Sequence, residues 1–215
     1  GVARGDRIAV WGVNSTEWIV AALAIQAVGG VLVPIGTRLR GREARGILEG
    51  AGAAIVFCDR GFGGYDFVAA LQGMEGLDLR HVVVLDQDQP GEGILTGLAQ
   101  VRVQGTGGDQ QALDQRISEG RGDDLADIIF TSGTTGRPKG VPMTCAQSLA
   151  ACRAQQEDIS NFTADDVIGV SFPFAHNAGY RAGWQIALLH GVRILPVGVV
   201  DSAGLLEVIE SERIT

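Results

Sequence analysis

The stretch IIFTSGTTGRPKGV, residues 128–141, determines how the rest of the chain is interpreted. It begins with three apolar residues, as a buried strand does, and continues with ten residues rich in glycine, threonine and serine. An amphipathic segment resumes near Thr144. The pattern predicts a strand, a flexible loop and then a helix.

The loop has the chemistry of a phosphate-binding site. Its glycines let backbone N–H groups approach a ligand closely, and its hydroxyl groups can donate further hydrogen bonds. Arg137 and Lys139 add two positive charges to a chain whose formal net charge is -8. A polyphosphate anion would therefore be attracted to this loop.

Two other interpretations of the loop are disfavoured. The P-loop of nucleoside triphosphatases has the pattern G-x-x-x-x-G-K-S/T, in which a hydroxyl residue follows the lysine. Here Pro138 precedes the lysine and removes a donor N–H group, and Gly140 follows it. A surface turn without a ligand is also disfavoured, because turns seldom combine so many hydroxyl groups and glycines with a terminal lysine.

TSGTTGRPKGV resembles the phosphate-loop signature of the adenylate-forming superfamily, which includes acyl-CoA synthetases, aryl-CoA ligases, luciferases and peptide-synthetase adenylation domains. Residues 4–48 and 173–196 resemble other blocks of that family, in the expected order. The later block is most similar to bacterial fatty-acyl and steroid-side-chain CoA ligases, in which such a segment lies beside the acyl pocket.

The resemblance implies a reaction in two steps. A carboxylate attacks the α-phosphate of ATP, which is accompanied by Mg²⁺, and expels pyrophosphate; a thiol, usually of coenzyme A, then displaces AMP. The loop would stabilise the negative charge that accumulates on pyrophosphate, without acting as a nucleophile or a proton shuttle. The residues expected in this role are Thr131, Ser132, Gly133, Thr134, Thr135, Gly136 and Lys139.

The resemblance also implies that His176, Gly179 and Tyr180 contact the acid substrate. Taken without the resemblance, a lone histidine is more often structural, and core packing at the head of a helix is the alternative for Tyr180. Ala175 and Ala178 stand where close relatives often have aromatic residues. Their small side chains would free volume, which leads to the hypothesis that the acid is bulky or branched.

Composition and charge exclude several classes of protein. Hydrophobic residues make up 46% of the 215 residues and charged residues 20%, as in ordinary globular proteins. The negative net charge argues against a protein that coats nucleic acid or an anionic membrane. No apolar run is long enough to span a bilayer, and the first residues lack the basic and apolar pattern of a secretory leader.

Three cysteines, Cys58, Cys145 and Cys152, have no metal-ligand spacing and leave one unpaired in any disulfide scheme. We therefore expect reduced thiols and a cytoplasmic location. Cys145 stands where many relatives have a histidine, and we interpret it as an inert buried thiol.

Apolar strands alternate with helical segments along the chain, which predicts an α/β fold with a parallel sheet covered on both faces. We expect a first α/β subdomain at residues 1–122, ending in an irregular loop region that begins at Asp86. Residues 123–215 would carry the phosphate-loop strand and a second α/β portion. The chain stops where a further strand is expected, so we expect the amino-terminal part of the large domain of an adenylate-forming enzyme.

The predicted function is that of an ATP-dependent CoA ligase for a fatty-acyl-like carboxylic acid, with this part inactive alone. Two alternatives stay open. One is an adenylation domain that loads a carrier-protein thiol, and the other is a non-catalytic nucleotide-binding module that kept the loop. The sequence leaves the identity of the acid and the oligomeric state undetermined.

Overall fold

The computed structural model describes residues 1–86, 93–131, 138–198 and 201–215. The strands within these ranges are, in chain order, β1 (Arg7–Trp11), β2 (Val31–Ile35), β3 (Ile55–Cys58), β4 (Gly61–Phe62), β5 (Tyr65–Asp66), β6 (His81–Val84), β7 (Leu95–Gly97), β8 (Leu125–Thr131), β9 (Lys139–Thr144), β10 (Val167–Val170) and β11 (Arg193–Pro196).

The helices are α1 (Thr16–Ala27), α2 (Gly41–Ala51), α3 (Phe67–Gln72), α4 (Leu98–Gly105), α5 (Gln110–Ser118), α6 (Cys145–Gln155), α7 (Asn177–Gly179), α8 (Ile186–Leu189) and α9 (Ser202–Glu212). Two π-helical turns, Gln156–Ser160 and Tyr180–Gln185, follow α6 and α7. None of the helices in the described ranges has the length and apolar character needed to cross a bilayer.

In the described part of the chain, seven strands form one sheet in the order β7-β6-β3-β1-β2-β8-β9. All neighbours from β7 to β8 are parallel, whereas β9 runs antiparallel to β8. The strands β10 and β11 form a separate parallel pair, and β4 and β5 form a short antiparallel hairpin. The predicted α/β fold with a mainly parallel sheet is confirmed.

The core lies on both faces of this sheet, as β1 illustrates. Its side chains alternate, so Ile8 and Val10 join one apolar cluster with residues of α1, and Ala9 and Trp11 join the other with residues of α2 and α3. All four side chains are at most 2% exposed. Because both faces are covered, the central strands are apolar over most of their length.

Local signals in the sequence position α1. The Ser15 side chain accepts a hydrogen bond from the Trp18 N–H group and so caps the first turn. The helix ends before Gly29, whose φ of 78° lies in the left-handed region that glycine favours. The chain then enters β2 beside β1.

The irregular loop predicted from Asp86 onward is wrong for much of its length, because β7, α4 and α5 lie within it. Weak periodicity hid these elements, which depend on contacts with distant parts of the chain. The strand β7 pairs with β6. On α5, Nη1 of Arg116 donates hydrogen bonds to the carbonyl oxygens of Val2 and Val28, at 2.7 and 3.2 Å.

The strand β9 is a second correction, since the sequence predicted that the phosphate loop leads directly into a helix. Its side chains are largely exposed, so it lacks the apolar pattern of a buried strand. Pro142 lies within it opposite Ile128, and proline is tolerated there because β9 is an edge strand. The division of the chain at residue 122 stays a prediction; the main sheet continues across it through β8.

Asn14 connects the main sheet to the β10–β11 pair. It follows β1, and its Nδ2 donates hydrogen bonds to the carbonyl oxygens of Val170, Phe172 and Val197, at 3.0, 2.9 and 3.3 Å. Its Oδ1 accepts a hydrogen bond from the Phe174 N–H group at 2.9 Å. One side chain therefore holds the segment that leads from β10 to α7.

We predict that Asn14→Ala lowers the free energy of unfolding by roughly 2–4 kcal/mol, because four hydrogen bonds to backbone groups, three of them part-buried, are lost at once. Urea unfolding of the full-length protein measures the change. The control is Gln104→Ala, which alters an exposed residue of α4. A loss no larger than that of the control would contradict the proposed connection.

Candidate active site

The phosphate loop connects the antiparallel strands β8 and β9. Thr131, the last residue of β8, pairs with Lys139, the first residue of β9. The Thr131 hydroxyl group also donates a long hydrogen bond, 3.5 Å, to the Lys139 carbonyl oxygen. Both residues are exposed, so their side chains are accessible to a ligand. The other predicted loop residues lie outside the described ranges: Ser132, Gly133, Thr134, Thr135 and Gly136, together with Arg137.

The base of this hairpin packs tightly, which explains one glycine of the motif. A Cβ atom at Gly140 would lie 2.9 Å from Cγ2 of Ile128 and 3.0 Å from Cζ of Phe130. The ring of Phe130 also lies against α2, where a Cβ atom at Gly50 would be 3.3 Å away. Gly140 therefore has a packing role, in addition to any contact that its N–H group makes with a ligand.

Lys139 is the only lysine in the 215-residue sequence, where the other cationic residues are all arginines. An ammonium group differs from a guanidinium group in being compact and able to direct three hydrogen bonds toward one cluster of oxygens. Its position at the exposed start of β9 is suited to contact with phosphate oxygens.

His176 lies at the same edge of the sheet as the loop. A Cβ atom at Gly36, directly after β2, would be 3.9 Å from Nε2 of His176. Because β2 and β8 are parallel neighbours, their carboxyl ends meet at one edge. The structure thus brings His176 to the edge at which β8 ends and β9 begins.

Gly179 is required by a close approach of the backbone. A Cβ atom there would lie 2.3 Å from the carbonyl oxygen of Phe172 and 2.4 Å from that of Pro173, although its φ of -79° is ordinary. Any larger residue would push the turn before α7 away from the helix. This steric role accounts for the glycine without reference to a ligand.

Tyr180 is fully buried in the core, at 0% exposure. Its ring stacks on that of Trp184 with 5.0 Å between centroids, and its hydroxyl oxygen accepts a hydrogen bond from Gln26 at 2.9 Å. Burial raises the pKa of the Tyr180 phenol, so the hydroxyl group stays protonated. Core packing describes this environment, and a contact between Tyr180 and substrate stays a prediction.

Sequence reasoning missed a buried ion pair between β8 and the π-helical turn after α7. Asp127 is 0% exposed and Arg181 is 6% exposed. Nη2 of Arg181 donates to both carboxylate oxygens, at 2.6 and 2.8 Å. Burial raises the pKa of Asp127, and the adjacent guanidinium opposes that shift. A charged residue inside an apolar strand was the available signal, since such a residue needs a partner.

Asp59 is a second buried carboxylate at this edge, directly after β3. Its Oδ2 accepts a hydrogen bond from the Val13 N–H group at 2.6 Å, and a Cβ atom at Gly12 would lie 2.9 Å from the same oxygen. Burial raises its pKa from 3.8 to about 6, against the effect of the Val13 hydrogen bond. A cavity of about 60 Å³ adjoins this region, and its lining includes Gly12, Val13, Asn14, Thr37 and Ala175.

The cysteines form no disulfide, and all three are free. Cys58 and Cys152 are buried, and Cys145 is half-buried at the start of α6. Burial raises the pKa of the Cys145 thiol, which keeps it protonated and poorly nucleophilic. Among the described residues, no group of three or more His, Cys, Asp or Glu side chains could hold a metal ion, so no residue is assigned to Mg²⁺.

We predict that Asp59→Asn changes how stability depends on pH. The raised pKa means that the folded protein favours the protonated carboxyl group, so stability is lost as pH rises through about 6. Asparagine can accept the same hydrogen bond without a charge. The free energy of unfolding of Asp59→Asn, relative to that of the parent, should increase by roughly 2 kcal/mol between about pH 4 and about pH 7.5. Urea unfolding across this pH range measures the difference.

The control for this prediction is Asp114→Asn, which removes the same charge from an exposed position on α5. It corrects for the change in net charge. An Asp59→Asn variant whose stability runs parallel to that of the parent across this range would show that the carboxyl group titrates normally.

Comparison with known proteins extends these observations. The sequence is 38% identical over 219 residues to a 3-(7a-methyl-1,5-dioxo-octahydro-1H-inden-4-yl)propanoyl:CoA ligase of Mycobacterium tuberculosis, an alignment that covers all of this chain and 41% of the ligase. The chain therefore spans about two fifths of the length of this curated relative, and the same holds for a ligase of that name from Rhodococcus jostii, at 42%.

Solved structures share the fold. The anthranilate CoA ligase AuaEII in complex with anthranoyl-AMP matches with a TM-score of 0.80 at 19% identity, over all of this chain and 40% of that one. The inhibitor-bound N-terminal domain of FACL13 from Mycobacterium tuberculosis matches with a TM-score of 0.75 at 24% identity, over all of this chain and 49% of that one. The match to the family described as AMP-binding enzyme extends over residues 1–215, so the chain belongs to that family.

Proposed function

We propose that the full-length protein is an ATP-dependent CoA ligase that activates a carboxylic acid as its acyl-adenylate. One observation carries the proposal: the exposed pair of Thr131 and Lys139 and the side chain of His176 lie at one edge of the sheet, beyond the adjacent ends of β8 and β2. A phosphate-binding loop next to an acid-binding segment is the arrangement that adenylation needs. The CoA ligase activity of the relatives supports it.

In this proposal the phosphate loop stabilises the negative charge of the leaving pyrophosphate. Negative charge increases on pyrophosphate as its bond to the α-phosphate breaks, so donors aimed at it stabilise the transition state more than bound ATP. Lys139 would supply the positive charge, and Thr131, Ser132, Gly133, Thr134, Thr135 and Gly136 would supply hydroxyl and N–H donors. The attacking carboxylate is already ionised at neutral pH, so His176 would shape the pocket without acting as a base.

ATP, Mg²⁺ and coenzyme A are the proposed cofactor and co-substrates. Free thiols at Cys58, Cys145 and Cys152 suit a reducing compartment, and we place the protein in the cytoplasm. Gly179 would keep the pocket segment close to the carbonyl groups of Phe172 and Pro173, and Tyr180 would support it from the core.

We further propose that the acid is fatty-acyl-like with a bulky or branched group near its carboxylate end. Ala175 is 7% exposed and lines the cavity beside Asn14, so a larger side chain there would occupy that space. Ala178 is also small and lies one residue before Gly179. The relatives named for a bicyclic propanoyl group support a pocket that accepts a ring system.

The decisive experiment is carboxylate-dependent exchange between ATP and labelled pyrophosphate, with protein from the complete reading frame. Fatty, aryl and polycyclic acids are compared, and coenzyme A or a carrier protein is then offered as acceptor. Exchange that requires an acid, followed by a CoA thioester, is the expected result. Exchange without CoA thioester formation would favour carrier loading, and no exchange with any acid would favour a non-catalytic module.

We predict that Lys139→Ala lowers the rate of pyrophosphate exchange about ten- to a hundredfold, since a charge-assisted hydrogen bond contributes about 1.5 to 3 kcal/mol. The matched control is Arg153→Ala, which removes one positive charge from an exposed site on α6. It should leave the rate near that of the parent. An unchanged rate in Lys139→Ala would remove this residue from the mechanism.

A second prediction concerns the choice of acid. Ala178→Phe should shift preference from bulky or branched acids toward slender ones, because a phenyl ring would fill volume that the alanine leaves free. Relative kcat/KM values for exchange with a matched series of acids measure the shift. An identical ranking of acids in the parent and the variant would count against this use of Ala178.

A further inference from the structure

We propose that the buried pair of Asp127 and Arg181 is a positioning device that holds the hairpin base, Thr131 and Lys139, in register with the acid-binding segment around His176. The inference rests on the proposed function, because it concerns the geometry of that same site. Both members are positioning residues, and neither is placed in contact with substrate. The proposal predicts that the pair affects turnover beyond its effect on stability.

The guanidinium of Arg181 links two elements that the sequence separates by about fifty residues. Its Nη2 donates to both oxygens of Asp127, at 2.6 and 2.8 Å. Its Nη1 donates to Oδ1 of Asn177. The guanidinium thus binds β8 through one nitrogen and the start of α7 through the other. Because the group is planar, it fixes the angle between these two hydrogen-bonding directions.

Each end of this link lies next to a predicted binding residue. Asp127 is four residues before Thr131 on the same strand, so a shift of β8 would move Thr131 and its partner Lys139 at the hairpin base. Asn177 directly follows His176, which lies beside Gly36 at the sheet edge. One ion pair therefore relates the nucleotide side of the site to the acid side.

Further hydrogen bonds hold the π-helical turn that contains Arg181 in place. The Arg181 carbonyl oxygen accepts a weak hydrogen bond from the Cys152 thiol of α6 at 3.7 Å. The neighbouring Tyr180 is held by Gln26, whose Nε2 also lies 3.4 Å from the carbonyl oxygen of Ala126 on β8. The π-helical turn is thus attached to β8 directly at Asp127 and, through Gln26, at the preceding residue Ala126.

Net stability does not explain a pair of this kind. Bringing two charges out of water is costly, and apolar residues of similar volume often replace a buried pair without loss of stability. A hydrogen-bonded ion pair is directional, so it is satisfied in only one arrangement of its two side chains, whereas apolar contacts are not directional. We therefore assign the pair the role of fixing the relative positions of its two elements. Misplacement of a reacting group by about 1 Å can slow a reaction by about a hundredfold.

The test compares three variants of the full-length protein with the parent: Asp127→Leu/Arg181→Met, Arg181→Met and Arg181→Lys. The double variant replaces both charges with apolar side chains, the single variant leaves Asp127 unpaired, and the lysine variant keeps a positive charge. Arg193→Met is the matched control, because Arg193 forms an exposed pair with Glu212 in which its side chain is 59% exposed.

Three quantities are measured: the urea midpoint, kcat and KM for pyrophosphate exchange, and deuterium uptake of peptides that cover 125–131, 138–144 and 172–180. In the double variant we expect a midpoint close to that of the parent, with kcat lowered about ten- to a hundredfold and KM changed less than about threefold. Arg181→Met should lower both the midpoint and kcat. Arg181→Lys should retain more activity than the double variant.

Deuterium uptake distinguishes failure of this inference from failure of the proposed function. Suppose that the parent catalyses no pyrophosphate exchange, so that the proposed function fails. The inference is still supported if the double variant has the urea midpoint of the parent but takes up deuterium faster than the parent in all three peptides. A double variant with the kcat and the uptake of the parent would overturn the inference. The double variant could also fail to fold, and the Arg181→Lys variant then decides. If Arg181→Lys folds stably but has a kcat no higher than that of Arg181→Met, the inference is overturned as well.

Discussion

The parallel alignment of β1, β2, β3 and β8 is the constraint on which the rest of the structure depends. It requires apolar strands, because helices cover both faces of such a sheet. It also brings the carboxyl ends of the strands to one edge. Thr131, His176, Asn14 and Asp59 all lie at that edge because each ends or follows a strand or contacts the turn after one.

Polar groups buried near this edge connect elements that apolar packing alone would leave free to slide. Asn14 joins β1 to the β10–β11 pair, and the pair of Asp127 and Arg181 joins β8 to the segment after α7. Such groups are costly to bury unless they are satisfied, so each one selects a single arrangement of its neighbours. Asp59 is an example, since burial disfavours its charged form and raises its pKa to about 6.

Glycines act at this edge by allowing close approach, and their roles in binding and in packing overlap. Gly179 lies against two carbonyl oxygens, and Gly140 lies against Ile128 and Phe130. A motif glycine can thus be required by the fold and still expose its N–H group to a ligand. The motif thus predicts a phosphate loop, and the packing gives a separate reason for the glycine at position 140.

The sequence by itself determined the alternation of apolar strands and helices, because apolar runs and helix caps act over a few residues, and its glycine and hydroxyl pattern predicts the phosphate loop. Only the tertiary structure decided the edge strand β9, the elements β7, α4 and α5, and the pairing of Asp127 with Arg181. Those features depend on contacts between residues far apart in the chain: 54 positions separate Asp127 from Arg181. No local pattern specifies such a partner, so it is the folded sheet that brings the two charges together.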